Sequence, residues 1–288
     1  MALEKDSIVN CDETWCKVRK YDHYRKCYIW VLVNKAEQVV IFFYEDGSRV
    51  RDVLTDFIGD AELKSIMSDG YNAYTFIGNE LKVAETPNLS KTDHQVCLAH
   101  ACAKFVKVSE PAGDKNADIF IKYIEDLYNL ERQYAKDNLT DEERGKQRQS
   151  LETKGILINL RTHLCIEKSK DTATVTPYFQ KALNYLDTFW TNLFTYIKDG
   201  SYPIDNNAAE RAVRPQTTQR NSMLHFGSDE GAKMAATYHS IISTVKLQGR
   251  SAWDYLGKFL LISLTVAEIF SVCDQINFRA NECIAKLV

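Results

Sequence analysis

The sequence predicts an α/β chain in which a mixed sheet with flanking helices is interrupted by a large all-helical insertion. Three observations predict it. Apolar, β-branched runs fill the first hundred residues, helical periodicity takes over from Ala99, and a further set of capped helices begins after Ile204.

The first run, Ser7 to Thr14, reads as a strand carrying Asp12. Cys27 to Val33 and Gln38 to Tyr44 are rich in β-branched and aromatic residues, and Asn34 to Glu37 supplies a short polar turn between them, as in an antiparallel hairpin. Val50, Val53, Leu54, Phe57 and Ile58 then recur on one helical face closed by Gly59, and the short strand Leu63 to Met67 delivers Asp69. Strand, strand, strand, helix, strand is the order of a ribonuclease H-like core. A short helix around Tyr74 to Leu81 and a fifth strand over His94 to Leu98 complete this part.

Two helical stripes mark the middle of the chain. Phe120, Ile124, Leu127 and Tyr128 form the first, and Ala182, Tyr185, Leu186, Phe189, Leu193, Tyr196 and Ile197 the second. The polar stretch Asp137 to Ser150 reads as a solvated helix start or loop. From Ile204, Asp205 is placed to cap a helix containing Glu210, Ser228 to cap a long helix reaching Leu247 before Gly249, and Ser251 to cap the last one. The division expected is residues 1–98 for the first part of the core, 99–203 for the helical insertion and 204–288 for the C-terminal helical part of the core.

Composition sets bounds on function. The 288 residues are 45% hydrophobic and 26% charged, enough for a sizeable core. A formal net charge of -3 excludes a global basic field, so contact with nucleic acid must rest on local clusters. The eight cysteines are scattered without a Cys-x-x-Cys pair, as expected of reduced thiols in a cytoplasmic protein. No signal peptide pattern follows Met1, and Phe259 to Val272 is too short and too polar, with Glu268 inside it, to span a bilayer. It reads as a buried helix.

Asp12 and Asp69, 57 residues apart, each end an apolar run, where a buried carboxylate is costly unless a metal or another cation offsets its charge. With Glu210 from a helix they could hold two divalent cations about 4 Å apart, the arrangement for in-line attack at phosphodiesters. Each has a plainer reading. Asp69 could start the turn before Gly70, and Glu210 precedes Arg214 by four residues, the order of a surface ion pair. Asn206 and Asn207 beside Asp205 are oddly polar for a core helix start, and Asp205 is a reserve metal ligand.

Cys97 and His100, with Cys102 nearby, offer at most three zinc ligands and no second cluster to complete a tetrahedral site. His100 is placed either to hydrogen-bond near the carboxylates or as a satisfied structural histidine. Arg211, Arg214, Arg220, Lys233 and Lys246 give a local basic bias suited to DNA phosphates, or simply a solvated face. Gly227 to Gly231 lacks the ending of a phosphate loop and reads as a helix cap.

Six blocks occur here in the order found in transposases of bacterial insertion sequence family 66. They are Asp12-Glu13-Thr14, Ser68-Asp69-Gly70-Tyr71-x-x-Tyr74, Cys97-x-Ala99-His100-Ala101-x-x-Lys104-Phe105, Leu127-Tyr128-x-x-Glu131, Asp205-Asn206-Asn207-x-Ala209-Glu210-Arg211-Ala212-x-Arg214-Pro215 and Gly227-Ser228-Asp229-x-Gly231-Ala232. The chain resembles that family over roughly residues 7 to 260. The resemblance implies a DDE-type catalytic domain that cleaves and joins DNA at transposon ends. Asp12, Asp69 and Glu210 would be its metal-binding triad for two Mg2+ or Mn2+ ions, with the helical insertion lying within the 141-position separation of Asp69 and Glu210. It also implies DNA as partner, contacts from Lys104, Arg211, Arg214, Arg220 and Lys246, and a homo-oligomeric active complex.

Family members carry a long N-terminal region with a DNA-recognition module, whereas this chain begins 11 residues ahead of Asp12, so end recognition is expected to lie outside it. The family's arginine pair after the Ala-His-Ala segment is Cys102-Ala103 here, and only Lys104 is kept. The rivals are a nonenzymatic remnant kept for oligomerisation or regulation, and another ribonuclease H-like nuclease such as a structure-selective resolvase.

Overall fold

A computed structural model describes residues 3–47, 51–70, 74, 77–78, 87–112, 115–171, 175–259 and 261. Three strands open the chain, β1 (Ser7–Arg19), β2 (Tyr24–Asn34) and β3 (Val39–Glu45), followed by helix α1 (Arg51–Ile58) and β4 (Leu63–Ser68). A one-turn helix α2 (Pro87–Ser90) precedes β5 (Asp93–Val96). The five strands form one sheet in the order β3-β2-β1-β4-β5, with β1, β2 and β3 antiparallel and β4 and β5 parallel to β1. This is the ribonuclease H-like arrangement expected from the element order.

Alternation along β2 explains why it lies inside the sheet. Ile29, Val31 and Val33 enter one core with Ala209, Val213, Ala232 and Ala236, while Trp30 and Leu32 enter a second with Leu54, Ile58 and Ile66. Both faces are buried, so the strand reads as a nearly continuous apolar run. The β3 edge is covered by helix α10 (Asp229–Leu247): the Val40 and Phe42 N–H groups donate to Thr244 Oγ1 and Ser240 Oγ at 2.9 and 2.7 Å. Side-chain hydroxyls thus satisfy an edge that would otherwise be open to pairing.

The middle of the chain is helical, with α3 (Leu98–Ala112), α4 (Lys115–Lys136), α5 (Asp141–Arg148), α6 (Leu151–Ser169), α7 (Pro177–Thr188), α8 (Trp190–Leu193) and a 3-10 turn (Thr195–Lys198). Its core gathers Phe105, Phe120, Leu127, Leu160, Leu164, Phe179 and Leu186, uniting the two expected stripes. Helix α9 (Asn207–Met223) and α10 follow, with residues 252–259 also helical.

Three expectations need correction. The fifth strand ends at Val96 and Leu98 already begins α3, because the Cys97 N–H continues to the Ser68 carbonyl but Leu98 N–H turns to Ile204. Asp137 to Ser150 is not merely solvated. It holds α5, started by a Thr140/Glu143 capping box and ended by Arg148, which is 2% exposed and forks onto Glu131 with both bonds at 2.8 Å. The third correction is the cap of α9: Asn206 occupies the cap position, and Asp205 Oδ1 accepts the Asn207 N–H from one residue further out. Ser228 and Ser251 act as expected, accepting from Gly231 and Asp254. Val50, the helix around Tyr74 to Leu81 (save Tyr74, Ile77 and Gly78) and most of Phe259 to Val272 lie outside the described residues.

Candidate active site

Asp12 sits in the centre of the sheet opposite Val31, where β1 is held by β2 on one side. On the other side the pairing with β4 ends at Asn10↔Met67, so β1 runs on past its neighbour with Asp12 just beyond the fork. Parallel strands place Asp69, directly after β4, next to that fork. Asp12 Oδ1 accepts the Glu13 N–H at 2.8 Å.

Gly70 allows the chain to leave β4 at Asp69. Its φ is +79°, and a Cβ there would stand 2.9 Å from the Tyr185 hydroxyl. That hydroxyl donates to the Asp69 carbonyl at 2.8 Å, so α7 of the helical part holds the turn. The Lys104 ammonium lies 4.4 Å from the Tyr185 ring centre. Burial and Lys107 lower the Lys104 pKa, against the pull of Asp69. Of the expected DNA-contacting cations, Lys104 is thus the one the structure puts beside Asp69.

Glu210 lies in the first turn of α9, and a buried asparagine pair fixes that turn on β1. Asn206 donates through Nδ2 to the Cys11 carbonyl at 2.7 Å, accepts from Asn10 Nδ2 at 2.9 Å, and gives its backbone N–H to Cys97 Sγ at 3.1 Å. Cys97 is fully buried and its thiol is pushed up to about 12 by burial, partly offset by the Asn206 N–H. A protonated thiol packs and accepts a hydrogen bond but is a poor metal ligand.

The ligand atoms of Cys97, His100 and Glu210 lie within 4.8 Å of one another. His100 Nδ1 stands 3.5 Å from Glu210 Oε1, long for a hydrogen bond, and the same nitrogen is buried without another partner. The third member of the Cys97/His100 group is therefore Glu210 and not Cys102. No ion pair joins Glu210 to Arg214 among the described residues, which removes the plainer reading of that glutamate. Asp205 turns to Asn207, receiving both its backbone and side-chain N–H.

Electrostatics tie the three acids together. The Asp12 carboxyl is pushed up to about 7, chiefly by burial, then by Glu13, and further by Asp69 and Glu210. A half-buried carboxylate raised by three other acids is a group that a cation would stabilise. Hard, oxygen-only donors of this kind suit Mg2+ or Mn2+ rather than a soft metal. The donor chemistry therefore fits the expected ions, although the carboxylates of Asp12, Asp69 and Glu210 do not all lie within 4.8 Å of one another.

The basic residues divide by location. Arg211 and Lys246 line one cleft with Lys35 and Pro215, between α9, α10 and the sheet. Arg214 is exposed on α9. Arg220 turns inward instead, with Nη1 2.8 Å from Thr14 Oγ1 and 3.1 Å from the Trp15 carbonyl, and its guanidinium 4.2 Å from the Trp15 ring centre. Sequence reasoning missed Asn10, Trp15, Tyr185 and Gln216 around this site. Only Tyr185 carried a signal, as a hydroxyl in an otherwise apolar stripe. No helix among the described residues is long and apolar enough to cross a membrane.

The family model described as "Transposase IS66 family" matches residues 1–234. The chain is 27% identical over 218 residues to "Uncharacterized protein y4jD" of Sinorhizobium fredii, covering 74% of this chain and 41% of that protein. It is 28% identical over 226 residues to "Uncharacterized protein y4qI" of the same organism, covering 77% and 40%. The chain thus spans about two fifths of the length of these relatives. Among solved structures it is similar to the catalytic core domain of HTLV-2 integrase in complex with magnesium, with 15% identity and a TM-score of 0.24 over 43% of this chain and 86% of that one.

Proposed function

Because this chain belongs to the IS66 transposase family, we propose that it is a DDE-type catalytic domain that cuts and joins DNA strands at transposon ends. The observation that carries this reading is the Asp12 carboxyl, pushed up to about 7 chiefly by burial and then by Glu13, with Asp69 and Glu210 near enough to add to the shift. Asp12, Asp69 and Glu210 would hold two Mg2+ or Mn2+ ions, which when bound make a water or 3′-hydroxyl nucleophilic and stabilise the leaving 3′-oxygen.

The chain's own residues supply placement. The Asn10/Asn206 pair holds the start of α9 against β1, so Glu210 and Asp12 keep a fixed separation. Tyr185 fixes the turn at Asp69. Lys104, Arg211, Arg214 and Lys246 would meet phosphates, a sequence-independent attraction that falls with salt. His100 stands against Glu210 and would orient that carboxylate. The active assembly would be a homo-oligomer, since two ends must be joined, and residues 1–98 with 204–288 would form one catalytic unit around the helical insertion.

Nicking of supercoiled DNA in Mn2+, and joining of a 3′-hydroxyl end to a second duplex, test the reading. The wild-type chain is expected to do both, and Asp69→Asn and Glu210→Gln neither. Equal activity in all three would remove the catalytic assignment. Hydrolysis without any joining would make the chain a nuclease.

A further inference from the structure

Cys97 lies between β5 and α3, and His100 follows in the first turn of α3, at the spacing that puts two side chains on one helical face. Glu210 meets them from α9. Its Oε1 stands 4.0 Å from Cys97 Sγ and 3.5 Å from His100 Nδ1, and the ligand atoms of the three residues all lie within 4.8 Å of one another. These gaps are long for hydrogen bonds. They are close to the edges of a tetrahedron around zinc, about 3.4–3.5 Å for ligands at ~2.0 Å through nitrogen or oxygen and ~2.3 Å through sulfur.

The three donors are presented rather than occupied. His100 Nδ1 is buried with no hydrogen bond to satisfy it, and buried polar atoms in native proteins usually have one. Cys97 Sγ accepts the Asn206 N–H at 3.1 Å, the kind of outer bond that orients a metal ligand and supports a thiolate. The Glu210 side chain is 33% exposed and that of His100 40% exposed, so an ion reaches the group from solvent and a fourth position faces water.

Charge and donor chemistry choose the ion. Burial first, then Glu210 and Asp205, raise the Cys97 thiol pKa, so negative potential converges on the sulfur. The cation-free thiol keeps its proton. A thiophilic ion replaces that proton, which leaves to solvent. One sulfur, one imidazole and one carboxylate select zinc over the magnesium or manganese that oxygen-only donors prefer.

We propose that Cys97, His100 and Glu210 form a site for one Zn2+ ion, with water in the fourth position, and that zinc there draws Glu210 away from Asp12 and Asp69. The binding half stands on the three donors alone. The consequence for Glu210 rests on the catalytic reading above, in which the same carboxylate serves the Mg2+ or Mn2+ ions. Hard and soft cations thus compete for one glutamate, and zinc holds the chain inactive.

X-ray absorption of the full chain loaded with one equivalent of Zn2+ tests the site without any variant. One sulfur at ~2.3 Å with nitrogen and oxygen neighbours at ~2.0–2.2 Å is expected. No bound zinc, no sulfur on it, or two or more sulfurs would each overturn the proposal. Cys97→Ser keeps a hydroxyl to receive the Asn206 N–H and is expected to lower zinc affinity at least ~100-fold, the upper figure for losing even a partner behind a ligand. Unchanged affinity would place the sulfur elsewhere and overturn the assignment. Competition is read by Mn2+ electron paramagnetic resonance: one equivalent of zinc should weaken Mn2+ binding at least ~10-fold, because affinity for hard cations follows the carboxylate count. Unweakened Mn2+ binding would overturn the capture of Glu210. Nicking of DNA separates the two readings. A chain that binds zinc through one sulfur but neither binds Mn2+ nor nicks loses the catalytic reading and the competition with it, and keeps the zinc site. Nicking in Mn2+ by a chain whose zinc carries no sulfur removes only the site.

Discussion

The side chain of Asn206 donates to the backbone carbonyl of Cys11 at 2.7 Å across 195 residues of sequence. This bond, with its companion from Asn10, sets the start of the helix bearing Glu210 against the strand bearing Asp12. All of the groups involved are buried, so each loss leaves a polar atom unpaired.

Asn206→Ala should therefore cost roughly 2–3 kcal/mol, from the two side-chain bonds, with the Asn10 amide left only its 3.4 Å contact to the Asp205 carbonyl. Urea unfolding measures that loss. Nicking compared at equal folded fraction should fall as well, because Glu210 loses its fixed distance to Asp12; a variant that is destabilised yet fully active would show that the pair is only structural.

Asp12→Asn should separate stability from activity. Without a cation, the wild-type carboxyl is disfavoured by burial, Glu13, Asp69 and Glu210, so the neutral amide should leave the metal-free chain equally stable or more stable, by on the order of 1–3 kcal/mol. Mn2+ should raise the melting temperature of the wild type and not of the variant. Thermal melts in EDTA and in Mn2+ check both halves, and an equal Mn2+ shift in the variant would exclude Asp12 as a ligand.

His94 should make the fold sensitive to mild acid. It is buried on β5 with Nε2 2.9 Å from Ser68 Oγ, and burial lowers its pKa from 6.5 to about 4. Between these values the unfolded chain takes up a proton that the folded chain refuses. Stability therefore falls as pH drops below 6.5, and the loss is complete near pH 4, at roughly 3 kcal/mol. Urea midpoints across that window should fall steeply in the wild type and less in His94→Gln, whatever the variant's starting stability.

Arg148 should be the most sensitive residue of the helical part. Besides Glu131, it donates through Nη1 to the carbonyls of Tyr196 at 2.8 Å and Asp199 at 2.5 Å. Arg148→Met should cost roughly 3–5 kcal/mol because Glu131 is left charged and unpaired, and adding Glu131→Gln should recover part of that loss. Denaturation of the two variants side by side measures the recovery, and its absence would put the cost in the carbonyl contacts instead.

The strands and the helical stripes were legible in the sequence because each depends on local pattern. Period-two runs mark β2 and β3, the two stripes of α4 and α7 mark the helical core, and Asp12 and Asp69 stand out as carboxylates at the ends of apolar runs. Asp137 to Ser150 misled because its charge hid Arg148, whose partners Glu131, Tyr196 and Asp199 come from other elements. Asn10, Trp15 and Gln216 were invisible for a related reason: a polar residue on a strand or helix face looks solvated until a neighbouring element covers it.

By itself, then, the sequence determined the element order, the core-facing residues and the family to which the chain belongs, since these follow from periodicity and from motifs read along one chain. Only the tertiary structure decided that Glu210 faces His100 rather than Arg214, that Asn206 locks α9 onto β1, and that Cys97 comes within 4.0 Å of Glu210. Those relationships join residues up to about two hundred positions apart. They exist only once sheet and helices have excluded water, which is what turns hydrogen-bond satisfaction and charge repulsion into forces large enough to shape a site.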